Sequence, residues 1–88
     1  MKIRRHYTFY GEVQGVGFRY RAYHLANALR LTGWIKNEWD GSVEMEVQGE
    51  QADIRELIFR LQQLNYVHIE RMEVKEMETA LESGFRIR

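Results

Sequence analysis

The chain has 88 residues, 13 basic and 13 acidic, so its formal net charge is zero; 44% of it is apolar and 30% charged. That balance fits a folded globular protein rather than a disordered one, and it opposes a general nucleic-acid binder, which carries a basic excess. There is no cysteine, which excludes disulfides, thiolate catalysis and cysteine-ligated metals.

At this length one domain over residues 1–88 is expected, burying only ~60–65% of the surface its unfolded chain exposes. That leaves room for one core and no separate substrate domain. Met1-Lys2-Ile3-Arg4-Arg5-His6 holds no apolar run long enough for a signal peptide. No segment approaches the ~20 apolar residues of a membrane span. The cytoplasm is the expected compartment, with no membrane partner.

Tyr7, Phe9, Gly11 and Val13 alternate with His6, Thr8, Tyr10 and Glu12, the period of a strand. From Phe18 the period changes: Phe18, Ala22, Leu25, Ala26 and Leu29 fall at helical spacing. Gly33 suits a C-terminal cap for that helix. Gly33 to Asn37 reads as a strand running into a turn, and Asp40-Gly41 is a hairpin signal. Val43, Met45 and Val47 alternate with Glu44, Glu46 and Gln48 on the return strand, and Gly49 ends it. Ile54, Leu57, Ile58, Leu61 and Leu64 mark a second helix, entered through acidic residues Glu50 and Asp53. Val67 and Ile69 alternate in one phase and Met72 and Val74 in the other, so a β-bulge is expected near Glu70-Arg71 to restore the core face. Phe85 and Ile87 suggest a short closing strand.

The order β-α-β-β-α-β plus a short strand, with right-handed crossovers, places two helices on one face of an antiparallel sheet. This is the ferredoxin-like split βαβ arrangement of the α+β class. Many functions share it, so the fold alone names none.

The chemistry concentrates between the first strand and the first helix. Gly15 and Gly17 allow a tight turn that presents successive N–H groups to an anion. The turn opens into a helix N-terminus, with its unpaired N–H groups and partial positive charge. Arg19 and Arg21 lie in the first helical turn, where a cation is unfavourable by roughly 0.3–1 kcal/mol unless a bound anion offsets it. A Gly-x-Gly before a helix is by itself commonly just a tight turn. A Rossmann reading fails for want of a third glycine and a parallel βαβ unit, and a P-loop for want of Gly-Lys-Ser/Thr. The residues alone reach an anion site and stop there. Asn37, at a strand end before a hairpin, is either turn chemistry or a water-holding group beside the anion.

At these two segments the chain resembles the acylphosphatase family. Gly11-x-Val13-Gln14-Gly15-Val16-Gly17-Phe18-Arg19 looks like that family's first signature. Gly33-Trp34-x-Lys36-Asn37-x-x-x-Gly41-x-Val43-x5-Gly49 looks like its second. The likeness runs from about Tyr7 through Leu64, and the ending Phe85-Arg86-Ile87-Arg88 is family-like too. The resemblance implies hydrolysis of carboxyl–phosphate anhydrides such as acetyl phosphate, carbamoyl phosphate and 1,3-bisphosphoglycerate, without metal, cofactor or covalent intermediate. It implies that Arg19 and the N–H groups of Gly15, Val16, Gly17, Phe18 and Arg19 bind the phosphate, and that Asn37 positions the attacking water. The implied partner is a small-molecule acyl phosphate, with inorganic phosphate or sulfate able to take the same seat. No nucleic acid is implied, and the protein is expected to be a monomer. The sequence leaves open whether an acidic side chain or the C-terminal carboxylate of Arg88 orients Arg19.

Three departures stand out. Ile35 replaces a smaller residue, Phe9 replaces an aliphatic, and the chain has no proline. Gln62-Gln63-Leu64-Asn65-Tyr66 stands where the family often has a Gly-Pro loop, so either the second helix runs longer or the loop is remodelled.

His6, His24 and His68 lack metal-ligand spacing. His24 reads as a helix surface residue, His6 and His68 as outward strand positions. Asp53, Glu56, Glu70, Glu73 and Glu76 read as a solvated face, and Trp39 as either a lid over the site or a packing residue, the lid being favoured. The alternative to an enzyme is a non-enzymatic phosphate- or RNA-binding ferredoxin-like module, with Tyr7, Phe9 and Tyr10 as a stacking platform. The consensus around such aromatics is missing, and they are assigned to the core and sheet surface.

Overall fold

The computed structural model describes residues 1–88. Seven elements follow one another: β1 (Lys2–Glu12), α1 (Phe18–Ala28), β2 (Thr32–Asn37), β3 (Val43–Glu50), α2 (Gln51–Leu61), β4 (His68–Met77) and β5 (Phe85–Ile87). The strands form one sheet in the order β4-β1-β3-β2-β5. The four long strands pair antiparallel, as the sequence predicts. β5 adds a parallel pairing with β2, which makes the sheet mixed rather than purely antiparallel. The cause is the route of the chain: residues 78–84 carry it from the β4 edge to the far edge, where it arrives running with β2.

Alternation sorts the strand side chains. Phe9, Ile35, Val43, Met45 and Val47 are fully buried, and Tyr7 nearly so. Phe18, Ala22 and Ala26 at i, i+4, i+8 give α1 its buried stripe, and Ile54, Leu57 and Leu61 give α2 its own. The alanines of α1 let its backbone come close to the sheet. Tyr7 and Phe9 belong to this core, so neither is available to stack a base.

β1 begins at Lys2, five residues before the alternation is obvious in the sequence. The bulge is where the phase change puts it: Tyr10 pairs with Arg71 and Gly11 with Ile69, leaving Glu70 as the extra residue. Helix α1 ends without Gly33. Arg30 takes the left-handed conformation after it (φ 61°). Gly33 instead lies inside β2 at φ 142°, where a Cβ would sit 1.9 Å from the Glu46 carbonyl oxygen. Helix α2 stops at Leu61, so Gln62–Tyr66 is a remodelled loop rather than a longer helix.

Candidate active site

Between β1 and α1 the backbone turns on two left-handed glycines, Gly15 (φ 73°) and Gly17 (φ 77°), the latter being the N-cap of α1. An L side chain there costs roughly 1–2 kcal/mol, although a Cβ at either would meet nothing within 4 Å. Conformation, not crowding, therefore requires glycine. The N–H groups of Gly15, Val16, Gly17, Phe18 and Arg19 donate no hydrogen bond to protein. The first turn of α1 has no acidic residue and no side-chain cap. Five successive free donors at the positive end of a helix form a seat for an anion.

Gln14 fixes this loop to the rest of the fold. Its Nε2 donates to the carbonyl oxygens of Glu38 (2.7 Å) and Ser42 (2.9 Å) in the β2–β3 turn. That turn is itself closed by Asp40, whose carboxylate accepts from the Ser42 hydroxyl (2.6 Å) and amide (2.9 Å). These two donors hold the Asp40 carboxyl below its ordinary range. Sequence reasoning missed the role of Gln14. Its only signal was a polar amide continuing past a strand end into a glycine turn.

Asn37 is the last residue of β2. Its Oδ1 is buried and has no hydrogen-bond partner. Buried polar atoms are normally paired, and an orphan costs about 1–3 kcal/mol. Gly15, Gly17, Arg19 and Asn37 line a single cavity of about 180 Å³. The rest of its wall is Val13, Phe18, Tyr20 and Ile87. Val16 packs its side chain against the core and offers the loop only its N–H. The ion-paired arginines are Arg4, Arg5, Arg60, Arg71 and Arg86. Arg19 is not among them: it has no ion pair with an acidic side chain or with the C-terminal carboxylate.

Trp39 is 97% exposed at the hairpin tip and forms no part of the cavity wall; it is not a lid. His24 lies exposed on α1 with its ring edge-on to those of Tyr20 and Tyr23. No group of three or more His, Cys, Asp and Glu residues is placed to hold a metal ion.

Residues 5–87 match the family model for acylphosphatases. The chain belongs to the acylphosphatase family. It is 39% identical to the acylphosphatase of Moorella thermoacetica over 87 residues, which is 98% of this chain and 94% of that one. The solved acylphosphatase of Coxiella burnetii superposes with a TM-score of 0.91 at 34% identity, over 99% of this chain and 93% of the other. That of Bacillus subtilis gives 0.91 at 27% identity, over 98% of both. The protein is thus an acylphosphatase, an enzyme that hydrolyses acyl phosphates. No helix is long and apolar enough to cross a membrane.

Proposed function

We propose that the Gly15–Arg19 loop holds the phosphoryl group of a small acyl phosphate while Asn37 orients the water that attacks it, without a metal ion or covalent intermediate. One observation carries this reading. Three kinds of unsatisfied polar group belong to the residues around one cavity: the free backbone N–H groups of the Gly15–Arg19 loop, four of whose five residues line it, the Arg19 guanidinium and the Asn37 Oδ1. A phosphoryl group would satisfy the first two, and a water would satisfy the third.

The chemistry suits this set. Water attacks phosphorus in line, the bond from phosphorus to the acyl oxygen breaks, and a carboxylate leaves. A carboxylate is a weakly basic leaving group and needs no strong acid. The water's proton passes to a phosphoryl oxygen, so no side-chain base is needed. What remains for the protein is positioning and charge stabilisation. The guanidinium fork matches two phosphoryl oxygens where an ammonium would supply only a point charge. The Asn37 Oδ1 accepts a hydrogen bond from the water and aims its lone pair at phosphorus. Every one of these groups comes from one chain, which supports action as a monomer over a single domain.

The test is hydrolysis of benzoyl phosphate by protein stripped with EDTA. Full activity, inhibited competitively by inorganic phosphate, is expected. Activity lost in EDTA and restored by a divalent cation, or phosphate that fails to compete, would overturn the proposal.

A further inference from the structure

We infer that Tyr20 and Ile87 form an acyl-group subsite that selects uncharged, apolar acyl phosphates over those carrying a second anionic group. The inference rests on the proposed seat for the phosphoryl group and extends it to the other half of the substrate.

In-line attack places the leaving acyl group opposite the water. The phosphoryl group and water use the polar wall, so the acyl group must lie against the wall that remains. Val13 and Phe18 are each 1% exposed and form its floor. Tyr20 is 62% exposed and Ile87 41%, so these two form its mouth. Exposed apolar surface at the entrance of a cavity gains free energy when a ligand covers it.

Both mouth residues are held in place. The Tyr20 ring stands edge-on to His24 with centroids 4.4 Å apart. Ile87 pairs with Ile35 in the sheet, and the next amide, Arg88 N–H, donates to the Ile35 carbonyl at 2.8 Å. Asn27 ties the two supporting elements together. Its Oδ1 accepts from the Phe85 amide (3.2 Å) and its Nδ2 donates to the Phe85 carbonyl (3.4 Å), joining α1 to β5. The gap between Tyr20 and Ile87 is therefore set by the fold.

Charge at the mouth points the same way. Arg19 is the sole charged side chain on the cavity wall, and the phosphoryl group occupies it. Of the other cations nearest in sequence to the mouth, Arg21 lies exposed on α1 off the cavity wall, and three on the sheet side are engaged elsewhere. Arg86 pairs with Glu82 at 3.9 Å, and the Arg88 guanidinium lies over the Trp34 ring, 4.6 Å from its centroid. Lys36 faces Glu38 at 3.4 Å. A second phosphate on the acyl group would find no free cation on the wall, whereas a phenyl or branched alkyl group finds two apolar faces.

The experiment measures kcat/KM for benzoyl and acetyl phosphate, with the Ki of inorganic phosphate, in the wild type, Tyr20→Ala, Ile87→Ala and Ile87→Lys. Each alanine variant should lower the benzoyl-to-acetyl ratio about tenfold, the scale of one lost apolar contact in a substrate pocket, chiefly through KM. The phosphate Ki should stay within about twofold. Ile87→Lys should raise kcat/KM for 1,3-bisphosphoglycerate relative to benzoyl phosphate. An unchanged ratio in both alanine variants, with phosphate still inhibiting, would overturn the subsite alone. Phosphate failing to inhibit the wild type would instead overturn the seat beneath it. Tyr20 is largely exposed, so the Tyr20→Ala melting curve should match the wild type, whereas Ile87 is more than half covered and Ile87→Ala should melt somewhat lower. A lower ratio in Tyr20→Ala, and in Ile87→Ala assayed where it is fully folded, reports the mouth and not the fold.

Discussion

Arg4 and Arg19 sit on neighbouring elements of one small fold and are treated in opposite ways. The Arg4 side chain is 6% exposed, on the face of the sheet away from the helices. It donates to Glu46 (2.8 Å), Glu82 (2.7 Å) and Gln48 (3.3 Å). Burial acts to lower its pKa, but the carboxylates of Glu82 and Glu46 overcome this and raise it. Beside it, His6 faces Glu44 through Nε2 (3.0 Å) and Glu46 through Nδ1 (3.2 Å). Gln48 pairs with both backbone groups of Ala80, at 2.8 and 2.9 Å. Together these contacts lay residues 79–82 across the sheet and deliver the chain to β5. The hollow of about 420 Å³ beneath that strap has Gln48 and Glu82 on its wall, both already paired. The Arg19 guanidinium, by contrast, has no ion pair, and the N–H groups of its loop are free. In this protein polar groups are satisfied where they hold the chain together and left open around the proposed phosphoryl seat. A network complete within the protein has nothing to offer a ligand, while an incomplete one costs stability that only a ligand returns.

Exchanging the two treatments should separate stability from activity. The largest effect is expected for Arg4→Met, which leaves the mostly buried Glu46 and Glu82 carboxylates without their shared guanidinium and with only His6 and the distant Arg86 as partners. Breaking a buried pair in this way costs about 3 kcal/mol, or roughly 10–20 °C in Tm for a domain of this size. Benzoyl phosphate hydrolysis at a temperature where the variant is folded should be close to that of the wild type. Arg19→Ala should show the reverse pattern. A fall in kcat/KM of at least ~10²-fold is expected, the usual scale for one oriented charge stabiliser, with Tm within a degree or two of the wild type.

A smaller effect concerns pH. The Glu46 carboxyl lies in a site where burial alone would raise its pKa; Arg4 and His6 override this and hold it below the ordinary range. Its folded pKa is thus lower than its unfolded one. The stability it contributes is present above the ordinary carboxylate range and is lost as pH falls through the depressed value. Glu44 works in the opposite sense. Burial, and next to it the neighbouring Glu38, raise its pKa, so it favours the fold most when protonated and less as pH rises. Denaturant midpoints measured below neutral pH should show a decline at the acid end that is shallower than Glu46 alone would give. In Arg4→Met that decline should diminish, because the larger of the two depressing partners is gone and only His6 remains.

Much of this was legible in the sequence wherever a period or a turn residue recorded it. Phe18, Ala22 and Ala26 announce α1, Asp40-Gly41 announces the hairpin, and the phase change between Ile69 and Met72 places the bulge at Glu70. Gly15, Gly17, Arg19 and Asn37 were legible as candidates, and the cavity they share followed only from the folded chain. The strap was not legible. Residues 78–84 have no period, and their anchors come from far away: Arg4 and Glu82 are 78 positions apart. Arg4 itself reads as a charged terminus until β3 and the strap close over it. Gly33 misled because glycine after a helix suggests a cap. Its actual constraint is the approach of the Glu46 carbonyl, which belongs to another strand. Gln14 was hidden for the same reason, since its partners Glu38 and Ser42 lie across a turn some 24 residues on.

Asn37 carries the one buried side-chain oxygen left without a partner. The decisive measurement is steady-state hydrolysis of benzoyl phosphate by Asn37→Ala, with the inhibition constant of inorganic phosphate taken from the same preparation. A group that orients water but does not hold phosphate should lower kcat about 10²-fold and leave the phosphate Ki within about twofold of the wild type. Tm should not fall, because an orphaned acceptor has been removed rather than a bond. A kcat close to the wild type, or a phosphate Ki that rises in step with the loss of kcat, would contradict the division of labour between Arg19 and Asn37.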